Sequence, residues 1–308
     1  MAKYLITGGA GFIGSNYLLQ NVIKHPENQY VCLDALTYAS NISFLKPLMD
    51  KGNFKFVKGN ICNLKLVDAL FKEEQFDIVI NFAAESHVDN SINNPSIFLK
   101  TNVIGTQVLL DASLKYKVKR FHQVSTDEVY GSSLNYAFKE EDKLNPSSAY
   151  SASKASADLL VLSYYKTYNL PVSISRCSNN YGLNQHKEKL IPKVIYNAKH
   201  NKKIPVYGTG NNLRDWIYVL DHCNAIDLII DKGKEGNIYN IKGNKEINNI
   251  ELIKFILKTL NKNEDLIEFV DDRLGHDFRY LIDDSKIQEL GFKHAYDFEE
   301  KLIELIKM

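Results

Sequence analysis

The chain lacks most of the features that fit a protein to a special environment. Its four cysteines, Cys32, Cys62, Cys177 and Cys223, are scattered without paired spacing. That scatter excludes a disulfide framework and a zinc-ligand set, and it reads as reduced thiols in a cytoplasmic protein. No apolar run approaches the ~20 residues needed to cross a bilayer, and the N-terminus has no signal-peptide layout. A formal net charge of +1 gives no reason to expect a nucleic-acid or membrane partner. Internal repeats and low-complexity linkers are missing as well. Arginine is scarce: among 38 Lys and Arg residues, only Arg120, Arg176, Arg214, Arg273 and Arg279 are arginines. Lysine is so abundant that a lysine cluster carries little meaning here, whereas each guanidinium is worth asking about.

What is present suffices for a full core. At 308 residues and 44% hydrophobic, the chain predicts one large domain with a smaller second lobe. It opens with Lys3-Tyr-Leu-Ile-Thr7, a short β-rich run that breaks into Gly8-Gly-Ala-Gly11-Phe-Ile-Gly14 and then into a helical pattern. Strand, glycine turn and helix in that order suit a dinucleotide: Gly8 makes the turn, Gly11 admits a pyrophosphate and Gly14 lets the helix pack on the strand. Asp34 ends the next apolar run, Tyr30-Val-Cys-Leu33, where a carboxylate can accept from the adenosine ribose hydroxyls. An acid there favours NAD over NADP, whose 2′-phosphate it repels. A lone glycine triplet is weak evidence; the strand, helix and Asp34 strengthen it.

Further strand-like runs appear at Phe54-Lys-Phe-Val57, Ile78-Val-Ile-Asn-Phe82, Phe121-His-Gln-Val-Ser125 and Val172-Ser-Ile-Ser175. Between them, Leu64 to Phe71, Pro95 to Tyr116 and Ser151 to Tyr168 carry apolar residues at helical spacing. This alternation predicts an α/β fold, a Rossmann-like doubly wound parallel sheet over residues 1–175. Beyond residue 176 the elements shorten, so 176–308 is read as a smaller mixed α/β lobe closing over the cleft, with some later segments returning to the first domain.

In such sheets ligands sit at the carboxyl ends of the strands. Thr126-Asp127-Glu128 follows one of these ends. Downstream, Tyr150 and Lys154 stand four apart at a helix start, so the ammonium lies beside the phenol. A phenol of ordinary pKa is a poor base, and nearby positive charge favours the phenolate. Tyr-x-x-x-Lys alone is common by chance; behind a dinucleotide turn and a strand-end Thr it points to oxidation of a hydroxyl. The bland alternative for Asp127 and Glu128 is a solvated acidic turn, and for the arginines it is surface ion pairs.

These motifs, with Asp34-Ala-Leu-Thr-Tyr38, Ala83-Ala-Glu-Ser-His-Val-Asp89, Cys177-Ser-Asn-Asn-Tyr-Gly182, Glu188-Lys-Leu-Ile-Pro192, Arg214-Asp-Trp216 and Gly275-His-Asp277, run through nearly the whole chain. The sequence resembles the extended short-chain dehydrogenase/reductases, and within them the nucleotide-sugar 4,6-dehydratases. The resemblance implies a three-step reaction. Tyr150, with Lys154 beside it and Thr126 on the sugar O4, takes the O4 proton as hydride leaves C4 for NAD. Glu128 takes the C5 proton while protonated Asp127 donates to the departing C6 hydroxyl, and hydride then returns to C6. Epimerases of the superfamily share the glycines, Tyr150 and Lys154 but not the Asp-Glu pair.

The resemblance further implies NAD contacts from Gly8, Gly11, Phe12, Ile13, Gly14, Asp34, Thr37, Asn60, Ile61, Ala83, Ala84, Thr101, Tyr150 and Lys154. It puts Ser86, Thr126, Asn179, Lys189, Leu190, Pro205, Tyr207, Arg214, Asn249, Arg273 and His276 on the nucleotide sugar. Tyr207 and Pro205 would pack on the base, and Arg214 with Arg273 would hold phosphate. His87 is left outside the catalytic set, since a histidine at a strand end is as often a structural partner. Three positions depart from the family pattern: Asn60 replaces an aspartate, Asn81 a histidine and Asn90 an arginine, which bears on cofactor affinity. No metal is implied. A homodimer through the helices near Pro95 to Tyr116 and Ser151 to Tyr168 is expected. The base carried by the sugar stays open between dTDP, UDP and CDP, and a non-catalytic NAD-binding scaffold is the alternative of another class.

Overall fold

Alternation along single strands explains how the central sheet comes to be covered on both faces. A computed structural model describes residues 1–272 and 274–308. Strands β1 (Lys3–Thr7), β2 (Gln29–Asp34), β3 (Phe54–Lys58), β4 (Ile78–Asn81), β5 (Arg120–Thr126) and β6 (Val172–Cys177) form a seven-stranded sheet with the later strand Asn237–Ile241. Its order is β3-β2-β1-β4-β5-β6 with Asn237–Ile241 outermost, and every pairing is parallel. Leu5, Val31, Val79, Phe121 and Val172 face one way, packing with Leu70, Phe71, Leu109 and Val161 of the helices Leu64–Glu74, Gly105–Lys115 and Ala149–Tyr168. Their chain neighbours Ile6, Cys32, Ile80 and Val124 face the other way, onto Leu18, Val22, Val219 and Ile226 of Phe12–Lys24 and Val219–Lys232. Successive side chains of a strand point to opposite faces, so a run that is apolar throughout fills two layers.

The apolar spacing from Pro95 to Tyr116 predicts one helix, and the structure differs. Pro95–Phe98 is α-helical, Leu99–Ile104 widens into a π turn, and Gly105–Lys115 resumes the α-helix. The widening turns Asn102 inward, where its Oδ1 accepts from Glu85 N at 2.8 Å and its Nδ2 donates to Glu85 O at 3.0 Å and Ser153 Oγ at 2.9 Å. A π bulge of this kind is a periodicity change that spacing cannot reveal, and it ties the β4 loop to the helix carrying Tyr150.

The second lobe has a core of its own around Tyr181, Trp216, Ile253 and Leu302. Leu213–Tyr218 is the middle strand of a three-stranded sheet, between Lys245–Asn248 and Asn179–Tyr181, while Ile204–Tyr207 pairs with Ile267–Val270.

Arg176 is not a surface ion pair. It is 2% exposed in β6, its Nε donates to Asp158 at 2.9 Å, its Nη1 donates to Tyr130 Oη at 2.8 Å, and its plane lies 4.8 Å from the Tyr130 ring centre. Asp158 is fully buried on Ala149–Tyr168, so the pair pins that helix to the sheet. Removing one partner of a buried pair strands the other charge. Arg176→Met should therefore cost about 3–5 kcal/mol in denaturant unfolding, against well under 1 kcal/mol for a surface lysine changed the same way.

Candidate active site

β1 delivers the chain into a turn that only glycine fits. Gly8 has φ of +67°, and a Cβ on it would stand 2.7 Å from Ala83 N. A Cβ on Gly14 would stand 2.5 Å from Gly8 O. The helix Phe12–Lys24 starts at Gly11 without a side-chain cap, which leaves its leading N–H groups to an anion. Asp34 ends β2 and is buried; its Oδ2 accepts from Ala10 N at 2.9 Å and its Oδ1 from Leu36 N at 2.7 Å, so it is rigidly aimed. Every residue expected to contact the cofactor lines this one cleft, from Gly8 to Lys154. The cradle therefore fits a dinucleotide. Asn60 Oδ1 already accepts from Cys62 N at 2.8 Å, and an amide oxygen has a second lone pair to offer.

Asn81 does not face the cleft. It is fully buried at the end of β4, accepts from Thr7 Oγ1 at 2.6 Å and donates to Gln123 Oε1 at 2.8 Å and Thr106 Oγ1 at 3.2 Å. Its place is explained by bracing β1, β4 and β5. Asn90 is exposed, and its N–H donates to His87 Nδ1 at 3.3 Å, where His87 caps the helix Val88–Asn93.

The catalytic candidates gather where β5 ends. Thr126 Oγ1 accepts from Glu128 N at 3.3 Å and lies 3.3 Å from Asp127 Oδ1, setting the single turn Asp127–Tyr130. That turn splits the two carboxyls: Glu128 lines a cleft, while Asp127 is 3% exposed and its Oδ2 has no hydrogen-bond partner among the described residues. Burial pushes the Asp127 carboxyl well above the usual range, with Glu128 and Asp215 adding to the rise and Arg214 opposing it. Burial therefore biases the Asp127 carboxyl toward its protonated form.

Across from it, Lys154 Nζ donates to Val124 O at 2.6 Å inside β5. Burial lowers this ammonium to about 8, so it remains charged at neutral pH. Burial, with Glu128 next, pushes Tyr150 above the ordinary phenol range, while the Thr126 hydroxyl pulls it back. The phenol thus starts protonated, and positive charge beside it is needed to draw the proton off.

A second cleft joins the first through Ser86, Gln185, Glu188 and Lys189. Glu128, Asn179, Leu190, Pro205, Tyr207, Arg214, Asn249 and His276 line it as well. Asn249 Oδ1 and Trp216 Nε1 are buried in its wall without partners among the described residues, polar atoms suited to a polar ligand. Arg214 is more committed than expected: Nη1 donates to Leu213 O at 2.7 Å and Phe278 O at 3.1 Å, and Nη2 to Asp277 O at 2.9 Å. It anchors the segment that carries His276 while lining the cleft. Arg273 lies outside the described residues.

Sequence reasoning missed Tyr280 and Asp215. Tyr280 is 6% exposed in the second cleft, with Arg214 4.6 Å from its ring centre, and its Oη donates to Asp277 Oδ2 at 3.0 Å. A tyrosine in a short irregular segment carries no periodic or motif signal. Asp215 stood within a quoted motif, and only the fold brings it beside Asp127.

The family model described as GDP-mannose 4,6 dehydratase matches residues 5–305. The low-salt glycan biosynthesis protein Agl12 of Haloferax volcanii is 49% identical, over 97% of this chain and 95% of its own. The dTDP-glucose 4,6-dehydratase of Streptomyces niveus is 44% identical, over 99% and 92%. DesIV, the dTDP-glucose 4,6-dehydratase of Streptomyces venezuelae solved with NAD and dTDP bound, superposes with a TM-score of 0.96 at 42% identity, covering 99% of this chain and 96% of its own.

Gly14→Ala tests the cradle. The added methyl meets the Gly8 carbonyl, so the helix must back away from the turn, at about 1–3 kcal/mol of stability. Affinity for a dinucleotide, read by fluorescence titration, should fall in parallel. Unchanged affinity would separate the turn from the ligand.

Proposed function

The chain belongs to the GDP-mannose 4,6-dehydratase family, and from that membership we infer that it is an NAD-dependent nucleotide-sugar hydro-lyase converting dTDP-glucose to dTDP-4-keto-6-deoxy-glucose. The observation that carries this reading is the split pair at the end of β5: one carboxyl buried, where the protonated form is favoured, its neighbour facing the second cleft. Removing water from a sugar needs one group to give a proton and one to take it, and environments that push neighbouring carboxyls apart supply both. An oxidation alone needs neither.

When bound, NAD supplies the hydride acceptor and donor that a redox-neutral dehydration requires, together with positive charge near Tyr150. The chain's own residues handle the protons. Tyr150 Oη takes the proton from the sugar O4, helped by the Lys154 ammonium, while the Thr126 hydroxyl hydrogen-bonds that oxygen. The C4 ketone then acidifies H5. Glu128 takes this proton, Asp127 gives its own to the C6 hydroxyl, and water leaves across C5 and C6. Glu128 finally returns a proton to C5 as C6 is reduced. The second cleft binds the remote nucleotide through Asn179, Lys189, Leu190, Pro205, Tyr207, Arg214, Asn249 and His276, so that three carbons react without the sugar leaving. The same chemistry on UDP-glucose or CDP-glucose is the alternative, differing only in contacts to the base.

We propose a cofactor domain at 1–175, to which later segments such as Val219–Lys232 and Asn237–Ile241 return, and a lobe at 176–308 given mainly to the nucleotide sugar. We also propose a cytoplasmic homodimer. Cys32, Cys62, Cys177 and Cys223 are free, as suits a reducing compartment, and no helix among the described residues is long and apolar enough to cross a membrane. Ile97, Leu99 and Ile104, with Leu159 and Tyr168 of Ala149–Tyr168, are between 41% and 59% exposed. Large apolar side chains left exposed on neighbouring helices suit a partner's helices. Sedimentation at micromolar concentration should give the mass of two chains, and a monomer there would remove the dimer.

Two variants dissect the chemistry. With cofactor bound, Tyr150→Phe should show no reduced-cofactor absorbance on adding dTDP-glucose, a rate loss of at least about 10³-fold. Glu128→Gln should show that absorbance and then stop, because oxidation is intact and elimination is not. Full turnover by Glu128→Gln would reassign the base. Product from UDP-glucose or CDP-glucose in preference to dTDP-glucose would reassign the carrier.

A further inference from the structure

Asp215 is a buried carboxylate that folding alone does not explain. It is 3% exposed on Leu213–Tyr218, and its Oδ2 accepts from Gly243 N at 2.7 Å and from Ser178 Oγ at 3.2 Å. No ion pair among the described residues includes it. Asparagine would accept the same two hydrogen bonds and would spare the chain the desolvation of a charge. Asp215 lines neither cleft, so it is not spent on a ligand.

The strand ends show what it faces. β5 and β6 run parallel, with Thr126 opposite Cys177 as their last pair. The next residues are Asp127 on one side and Ser178 on the other, and the Ser178 hydroxyl holds Asp215. Asp127 and Asp215 are therefore brought together beyond the carboxyl ends of β5 and β6, both buried, from segments remote in sequence. The other charged or titratable groups acting on Asp127 are Glu128 on its own turn, Arg214, Tyr150 on the catalytic helix, Cys177 on β6 and Tyr280. Arg214 is the one cation among them, and its Nη atoms are engaged by three carbonyls. Asp215 itself is acted on by Lys242 and Glu246.

We infer that Asp215 is a positioning residue for the elimination step: its fixed carboxylate keeps Asp127 in the acid form that gives a proton to the departing C6 oxygen. Glu128 cannot do this alone, because its charge disappears as it takes the C5 proton, whereas Asp215 meets no substrate and keeps its charge. Burial raises Asp215 to about 6, so the repulsion is in force at neutral pH. The sign follows: with Asp215 ionised, Asp127 holds its proton to higher pH, and without that charge Asp127 loses it at lower pH. The inference rests on the dehydratase reading.

The test compares Asp215→Asn with the parent enzyme, both with cofactor bound, on dTDP-glucose and on its 6-deoxy-6-fluoro analogue. Fluoride leaves with less need of a proton, so the alkaline limb seen with the analogue belongs to loss of the Lys154 ammonium. On dTDP-glucose, the alkaline limb of kcat for Asp215→Asn should move down by about one pH unit or more, with the analogue's rate unchanged. A limb that stays put overturns the inference, and so does equal slowing on both substrates, which marks a structural role. If Asp215→Asn does not fold, Asp215→Ser carries the test: it removes the same charge, so the dTDP-glucose limb should again move down, and an unmoved limb overturns the inference. A parent enzyme inactive on both substrates would sink the dehydratase reading instead.

Discussion

The parallel pairing of β5 with β4 and β6 is the constraint on which the active centre depends. It fixes where β5 stops, and at that point Thr126 closes a tight turn that sends Asp127 inward and Glu128 outward. Lys154 reaches back to Val124 O in the same strand, so the helix Ala149–Tyr168 is tied to the sheet at the level of the reacting groups. Arg176 and Asp158 tie it again further along, and Asn102 ties it to the β4 loop through Ser153 and Glu85. Three connections to one helix leave Tyr150 little freedom, as a proton transfer timed to hydride departure demands.

Electrostatics at this site follows from burial more than from close ion pairs. Low local dielectric raises Asp127, Asp215 and Tyr150 and lowers Lys154, each toward its neutral form. The result is a centre in which burial favours the proton on Asp127 while Asp215 and Lys154 keep their charges at neutral pH. Such an arrangement is costly to folding, and the buried Arg176–Asp158 pair and the extensive apolar packing on both sheet faces offset part of that cost.

Much of this was legible in the linear chain, for identifiable reasons. The parallel sheet was readable because its strands are apolar without interruption and alternate with helical spacing. The dinucleotide turn was readable because only glycine tolerates the Gly8 backbone and the Gly14 contact. The grouping of Thr126, Asp127, Glu128 and Lys154 at β5 was readable because the first three are consecutive at the strand's end and Lys154 follows on the next helix. The π turn at Leu99–Ile104 was not, since it changes the helical period locally. That Asn81 is a buried brace between strands was not readable either, because a strand-end position does not say which way a side chain turns.

The sequence by itself determined the residue types, the strand and helix periods, and hence the fold class and the candidates for the reacting groups. These depend on neighbours a few positions apart, which the chain order specifies directly. Tertiary structure alone decided that Asp127 is buried while Glu128 lines a cleft, that Arg214 braces a segment as well as lining a cleft, and that Asp215 stands beside Asp127. Those outcomes depend on burial and on through-space charge, and both are set by segments that meet only when the sheet closes around them.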